Sequence, residues 1–186
     1  MKKSFISVAA LAAVILGIVF VVDTYNYLNK YSIRDYAADI EKDIENRLGM
    51  DIVIRDRVVT DNKLHFVFTV GQTVGSGELT RGWNRKYKFE YFGHGTNGIR
   101  ERIVETDKGQ YLMLAGRNDE NIGSIRAFIE GETYDAAIPD GPYYLVMTPV
   151  KRTRLEFTSG MIVYDREGRE LRRMNLPADE TSSPAP

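Results

Sequence analysis

One long run of apolar residues lies near the start of the chain. Lys2 and Lys3 precede it, and no charged residue occurs between Phe5 and Val22. At 1.5 Å per residue, a helix over residues 5–22 rises about 27 Å, close to the roughly 30 Å hydrocarbon core of a bilayer. No A-x-A-like cleavage pattern follows the run. The pattern therefore predicts a retained transmembrane signal anchor over residues 5–22, with a cleaved signal peptide as the alternative.

The charges around this run predict its orientation. Lysines before an apolar span stay on the cytoplasmic side, so residues 1–4 are expected to form a cytoplasmic stub. The rest of the chain, after Asp23, is then extracytoplasmic, and the predicted location is the cell membrane, crossed once. Tyr25, Tyr27 and Tyr31 follow the span, where aromatic residues commonly meet the membrane interface. The lipid bilayer is thus the first predicted partner.

A helical period follows the apolar run. Apolar residues recur at steps of three and four at Ile33, Tyr36, Ala37, Ile40, Ile44 and Leu48. They share one helix face, which predicts a juxtamembrane amphipathic helix over residues 23–49 that either continues from the apolar run or restarts at Ser32. Ser32 with Asp35 predicts its capping box, and Gly49 predicts its end. The stripe covers barely two heptads, so packing on the chain's own domain is favoured over a coiled-coil stalk.

The alternation of apolar and polar residues changes to a period of two after Met50. Turn-forming residues separate the segments, and no helical segment of 10–15 residues intervenes, which disfavours βαβ folds. The predicted strands are Ile52–Val59, Lys63–Val70, Arg85–Phe92, Ile99–Thr106, Gln110–Ala115, Ile125–Glu130, Thr133–Ile138, Tyr143–Val150, Met161–Tyr164 and Arg169–Met174.

These strands predict a mainly β fold. We expect an antiparallel β-sandwich-like domain over residues 50–175, after the transmembrane helix and the short amphipathic helix. The alternative is an α+β domain in which the helix packs on an antiparallel sheet. Residues 176–186 contain three prolines and little that could pack, and they predict a disordered tail.

Composition excludes several classes of chemistry. The formal net charge is −1, which argues against a nucleic-acid partner. Cysteine is absent, which excludes a disulfide scaffold, a thiol nucleophile and cysteine-bound metals. Only His65 and His94 are available as imidazole ligands, and His65 is expected on the outer face of its strand. No metal site, cofactor or catalytic residue is predicted.

Two glycine-rich stretches resemble phosphate-binding loops only superficially. Residues 93–98 match G-x-G-x-x-G, but the β-branched segment Ile99–Thr106 follows where a nucleotide site needs a helix. Gly71–Gly77 lacks the Lys-Ser/Thr of a phosphate loop. Both stretches are therefore interpreted as connections between strands.

A segment that combines aromatic and basic residues is the most suggestive candidate for binding. Its candidate ligand- or partner-binding residues are Arg81, Trp83, Arg85, Lys86 and Lys88, and Trp83 is the only tryptophan. An exposed tryptophan beside arginines suits a partner protein, an anionic envelope polymer or an anionic lipid headgroup. The alternative is that Trp83 fills the end of the core. Lys151, Arg152 and Arg154 suggest a second basic loop.

The later β-segments resemble a known kind of module. Ile125–Val150 and Met161–Leu171, including the run from Tyr164 to Leu171, look like immunoglobulin-like extracellular modules. With the lysine-headed anchor and the absence of cysteine, the chain resembles small, functionally unassigned single-pass envelope proteins of Gram-positive bacteria. The resemblance implies an immunoglobulin-like extracellular β-domain.

These patterns predict a membrane-anchored extracytoplasmic binding or accessory module of the cell envelope that is not an enzyme. The alternatives are an envelope-polymer hydrolase that uses carboxylates and a sensor or regulatory subunit of a membrane complex. An enzyme should show a polar cleft in which carboxylates of perturbed pKa converge. A binding module should show an exposed aromatic–basic patch and no such cleft.

Overall fold

A computed structural model describes residues 2–96 and 98–175, with side chains from Leu11 onward except that of Ala13. The described chain forms two helices and eleven strands. The helices are α1 (Lys2–Lys30) and α2 (Ala37–Leu48). The strands are β1 (Val53–Thr60), β2 (Lys63–Val70), β3 (Thr73–Arg81), β4 (Tyr87–Gly95), β5 (Ile99–Glu105), β6 (Gln110–Arg117), β7 (Ile122–Ile129), β8 (Glu132–Ala137), β9 (Tyr143–Val150), β10 (Gly160–Asp165) and β11 (Glu170–Met174).

The strands form three antiparallel sheets, which confirms the predicted mainly β class. Sheet A is a meander in the order β1-β2-β3-β4. Sheet B has the order β5-β6-β9, and sheet C has the order β11-β10-β7-β8. The chain passes from sheet B to sheet C after β6, returns for β9, and passes back for β10 and β11. The strands of sheets B and C therefore alternate along the chain, whereas sheet A consists of four consecutive strands joined by hairpins.

Sheet B lies between the other two sheets. On β6, Met113 and Ala115 pack against sheet A, whereas Leu112 and Leu114 pack against sheet C. Burial on both faces explains why this strand is apolar at successive positions instead of alternating. The domain therefore stacks three antiparallel sheets, which confirms the predicted β-sandwich-like packing of antiparallel sheets.

Helix α2 covers the outer face of sheet A. Ile40 and Ile44 are fully buried against a cluster that includes Phe66, Phe68 and Leu79. Tyr36 and Leu48, which share the predicted stripe, remain exposed. The layers thus run from α2 through sheets A and B to sheet C.

The predicted helical region over residues 23–49 contains a break, and the second helix restarts at Ala37 instead of at Ser32. Helix α1 continues to Lys30, and the chain then extends so that Ile33 pairs with Tyr87 through two backbone hydrogen bonds of 2.8 and 3.1 Å. The predicted Ser32–Asp35 capping box is also wrong, because Tyr36 is the N-cap and makes no side-chain cap hydrogen bond. Gly49 ends α2 with φ of 64°, as predicted.

The predicted loop over Gly71–Gly77 is wrong because most of it belongs to β3. Gly75 lies opposite Phe68 and Gly77 lies opposite Phe66 in the pairing with β2. A Cβ added at either glycine would overlap the opposite ring. These glycines therefore make room for two buried phenylalanines. On β4, Gly93 similarly leaves space for the side chain of Tyr91.

The predicted membrane anchor is only partly described. Within the part of the chain whose side chains are described, no helix combines the length and the apolar character needed to cross a bilayer. The predicted span includes residues 5–10 and 13, whose side chains lie outside that part. The side chains of the predicted stub and the predicted tail at 176–186 also lie outside it. The anchor stays a prediction.

Candidate functional site

The predicted aromatic–basic segment forms the tight connection between β3 and β4. We call residues 81–88 the aromatic–basic turn. Its backbone closes through a hydrogen bond from Gly82 N–H to the Lys86 carbonyl at 2.7 Å, and Arg85 adopts φ of 60°. The side chain of Trp83 is 70 % exposed. The alternative in which Trp83 fills the end of the core is therefore wrong.

The end of helix α1 docks on this turn. Trp83 N–H donates a hydrogen bond of 2.8 Å to Tyr27 Oη, and Asn84 Nδ2 donates one of 2.9 Å to the Tyr31 carbonyl. The ring of Tyr27 stacks on that of Trp83, with 5.2 Å between centroids, and on that of Tyr31 at 4.3 Å. A Cβ at Gly82 would collide with both tyrosines. The turn is thus a fitted joint between α1 and sheet A.

The cations of the turn differ in their surroundings. Lys88 pairs with Glu90 and lies 5.7 Å from the centre of the Tyr31 ring, and its hydrogen bond with Glu90 raises its pKa. Within the described residues, Arg81, Arg85 and Lys86 make no ion pair. Three of the four predicted cations are therefore available to a ligand, and Lys88 is engaged within the protein.

A second and larger feature is an open cleft between sheets A and B, which we call the inter-sheet cleft. Its volume is about 1040 Å³. Lys63, Glu105 and Gln110 are terminal strand residues at the end of the sheets that carries the aromatic–basic turn, so the cleft begins at that end. The lining residues are Lys63, Glu78, Glu90, Tyr91, Arg102, Ile103, Val104, Glu105, Gln110, Glu130, Arg152, Thr153, Arg154, Leu155 and Glu156.

Charged side chains that contact one another form one wall of this cleft. Glu78 is buried, and its Oε1 accepts a hydrogen bond of 2.5 Å from Lys63 Nζ. Arg102 lies 3.8 Å from the other Glu78 oxygen, and its guanidinium lies over the Tyr91 ring, 4.3 Å from the centroid. Pairing of this kind offsets the cost of placing charges away from water. This wall of the cleft is therefore ordered in the absence of a ligand.

His65 lies next to this charged set, and its predicted outward position is wrong. It pairs across the strands with Glu78 and is fully buried, because β2 packs against α2 on one face and sheet B on the other. Neither ring nitrogen has a hydrogen-bond partner among the described residues. Burial lowers the pKa of His65 to about 4, so the ring is neutral at physiological pH.

The connection from β9 to β10 forms the opposite wall. Gln110 exchanges two side-chain hydrogen bonds with the Thr153 backbone, at 3.1 and 2.7 Å, and Ile103 N–H donates to the Glu156 carbonyl at 2.8 Å. In the predicted second basic loop, Lys151 pairs with Glu132 at 2.6 Å. Arg152 and Arg154 line the cleft instead, and they make no ion pair within the described chain.

Glu101 lies in a smaller pocket of about 200 Å³ that shares Tyr91 and Arg102 with the inter-sheet cleft. Burial raises its pKa, although Thr158 donates a hydrogen bond to its carboxylate. Over the described residues, no group of three or more His, Cys, Asp or Glu side chains is placed to hold a metal ion.

Sequence reasoning found the turn and missed the cleft. The turn is contiguous, whereas the cleft joins residues of β2, β3, β4 and β5 with a loop some fifty residues further on. Comparison with protein-family models, with curated proteins and with solved structures finds no match in any of the three. Function is therefore argued from the chemistry of these two features.

Proposed function

We propose that this protein is a membrane-anchored extracytoplasmic binding module of the cell envelope that acts without catalysis. The observation that carries the proposal is the exposure of nine large apolar side chains along α1. Between Leu11 and Val22 these side chains are 49–72 % exposed and face all sides of the helix. A helix that is apolar all round needs an apolar environment. The bilayer supplies one, with residues 5–22 as the anchor and the N-terminus in the cytoplasm.

The aromatic–basic turn suits the headgroup layer next to this anchor. Tyr27, on which Trp83 stacks, lies five residues after Val22, which is about 7.5 Å along a helix. Tryptophan and tyrosine prefer this depth of a membrane. The unpaired cations Arg81, Arg85 and Lys86 would attract anionic headgroups. The turn would thereby fix how the β-domain stands on the membrane.

Other features support an envelope role outside the cell. The cysteine-free domain suits an exported protein, and the resemblance to small Gram-positive envelope proteins points the same way. Glu78 is held in ion pairs. Burial opposes the ionisation of Glu90, but its hydrogen bonds with Lys88 and Thr80 and the nearby charges of Lys88 and Lys63 together outweigh this, so its pKa is lowered. Glu90 is thus poorly suited to donate a proton at neutral pH.

One observation favours the hydrolase alternative. The raised pKa of Glu101 is what a general acid requires, and the pocket of Glu101 adjoins the inter-sheet cleft. Its hydrogen bond from Thr158 and its separate pocket make binding the better-supported function. Shortening of a glycan by the wild type but not by Glu101→Gln would establish the alternative.

Membrane topology tests the proposal directly, because the natural chain has no cysteine. Single cysteines would be introduced as Ser4→Cys and, in an exposed turn with free space, as Gly109→Cys. In intact Gram-positive cells, a membrane-impermeant maleimide should label Gly109→Cys. It should label Ser4→Cys only after permeabilisation. Labelling of Ser4→Cys in intact cells, or recovery of the chain in the soluble fraction, would overturn the proposal.

A further inference from the structure

We propose that the inter-sheet cleft binds a neutral glycan chain, separately from the aromatic–basic turn. This inference names the ligand class of the proposed binding module, and it rests on the proposed function only for the origin of that glycan in the envelope. Three properties of the cleft support the inference: its size, its balance of charge and its ordered walls.

The size and lining of the cleft suit an extended polar ligand. Its volume of about 1040 Å³ reaches the upper end of ordinary small-molecule pockets, which are mostly apolar. Here the lining is mainly guanidinium, ammonium, carboxylate and amide groups, with Tyr91 among them. An apolar ligand would leave these groups without partners, which is costly. A sugar hydroxyl both donates and accepts, so a polyhydroxylated chain can satisfy both kinds of group.

The balance of charge selects a neutral ligand over a polyanion. The lining contains four cations and five carboxylates. Lys63 and Arg102 already pair with Glu78. A polyanion would therefore meet about as much repulsion as attraction in the cleft. The aromatic–basic turn, where Arg81, Arg85 and Lys86 are unpaired, is the part of the molecule suited to anions.

The walls of the cleft are held in place without a ligand. One wall is fixed by Glu78 of sheet A, which pairs with Lys63 of the same sheet and with Arg102 of sheet B. The Gln110–Thr153 hydrogen bonds fix the start of the loop that forms the other wall. A site that is already ordered loses less conformational entropy on binding. Arg154, exposed and unpaired on this loop, is placed to donate to a ligand hydroxyl.

The test measures binding of a neutral oligosaccharide of N-acetylglucosamine, carrying an uncharged fluorescent label, to the full chain in neutral-lipid nanodiscs. Arg154→Ser should raise the Kd about tenfold or more, because it removes a charged hydrogen bond to the ligand. The matched control is Arg85→Ser on the turn, which should leave the glycan Kd unchanged. Arg85→Ser should instead reduce retention of the chain on anionic vesicles, which Arg154→Ser should not change.

Three results would overturn the inference: no binding of the neutral oligosaccharide by the wild type, equal weakening by both variants, or tighter cleft-dependent binding of poly-glutamate. The maleimide experiment fails or succeeds independently of these measurements, so loss of the proposed location is distinguishable from loss of the glycan site. Unchanged melting temperatures would show that both variants are folded.

Discussion

His65 shows how strongly a single position depends on the layers around it. Its ring lies between sheets A and B, with Lys63, Glu78 and Arg102 as the charged groups that act on it. Protonation would place a third cation beside Lys63 and Arg102, with one carboxylate between them. Burial opposes that charge most strongly, which is why the pKa of His65 falls to about 4.

The first prediction is a loss of stability on acidification that depends on His65. The unfolded chain binds a proton near pH 6.5 and the folded chain only near pH 4, so the free energy of unfolding falls as pH drops between these values. From pH 7 to pH 4.5 the loss is about 2–3 kcal/mol. Urea unfolding should show this contribution in the wild type and not in His65→Leu.

The control is His94→Gln, at the other histidine, which is exposed. It should keep the acid-dependent loss of the wild type. An identical pH dependence in the wild type and His65→Leu would contradict the buried neutral histidine.

Trp83 gives the second prediction. Because its side chain is 70 % exposed, Trp83→Ala should lower the free energy of unfolding by less than about 1 kcal/mol, compared with about 3–5 kcal/mol for a buried tryptophan. Chemical denaturation measures the change, and acrylamide should quench the fluorescence of the wild type in detergent. A quencher-resistant, blue-shifted emission with a large loss of stability would contradict an exposed Trp83.

At the level of elements, period-two patterns located most strands to within a few residues of their ends. Strand β3 was not predicted, because glycines usually indicate turns and Gly71 does lie in a turn. What makes Gly75 and Gly77 strand residues is the pair of rings on β2, and a local pattern does not show which residues lie opposite. The end of α1 was missed for a related reason, since Tyr31 and Ile33 are placed by contacts with residues 84 and 87.

The packing of β3 gives the third prediction. Gly77→Ala should lower the free energy of unfolding by about 1–3 kcal/mol, because the added methyl group overlaps the Phe66 ring in a closed layer. Thermal or urea unfolding measures the effect. Gly109→Ala, in a turn with free space, is the matched control and should change stability little. Equal stability of the two variants would contradict the prediction, because it would mean that the Phe66 ring can move aside for the added methyl group without a loss of stability.

Across the whole molecule, the composition and the alternation predict the mainly β class but neither the number of layers nor the cleft. Strand β6 is apolar on both faces, as central strands are, yet this does not reveal that sheets cover both sides. The cleft needs Glu78, Arg102 and Arg154 to meet from separate parts of the chain. Only the full stacking order brings them together.

The joint between α1 and the β-domain gives the fourth prediction. In Gly82→Val the added side chain collides with Tyr27 and Tyr31, so the contact between helix and turn should loosen. Protease cleavage within the exposed part of residues 31–36 should accelerate several-fold, while the melting temperature of the β-domain stays within a few degrees. Gly109→Val controls for the added side chain. Unchanged cleavage in Gly82→Val would contradict a fitted joint.

The meander of sheet A also affects the order in which the parts of the chain fold during synthesis. All of its hairpins join neighbouring strands, so their contacts can form as soon as about residue 95 has been synthesised. Sheet B must wait for β9, more than fifty residues behind β4. Until then, the β5–β6 hairpin is the only part of sheet B that can cover the face of sheet A that carries Val67 and Val74. Nascent chains are therefore most vulnerable to aggregation in this interval, when four of the eleven strands have formed sheet A and its inner face is only partly covered.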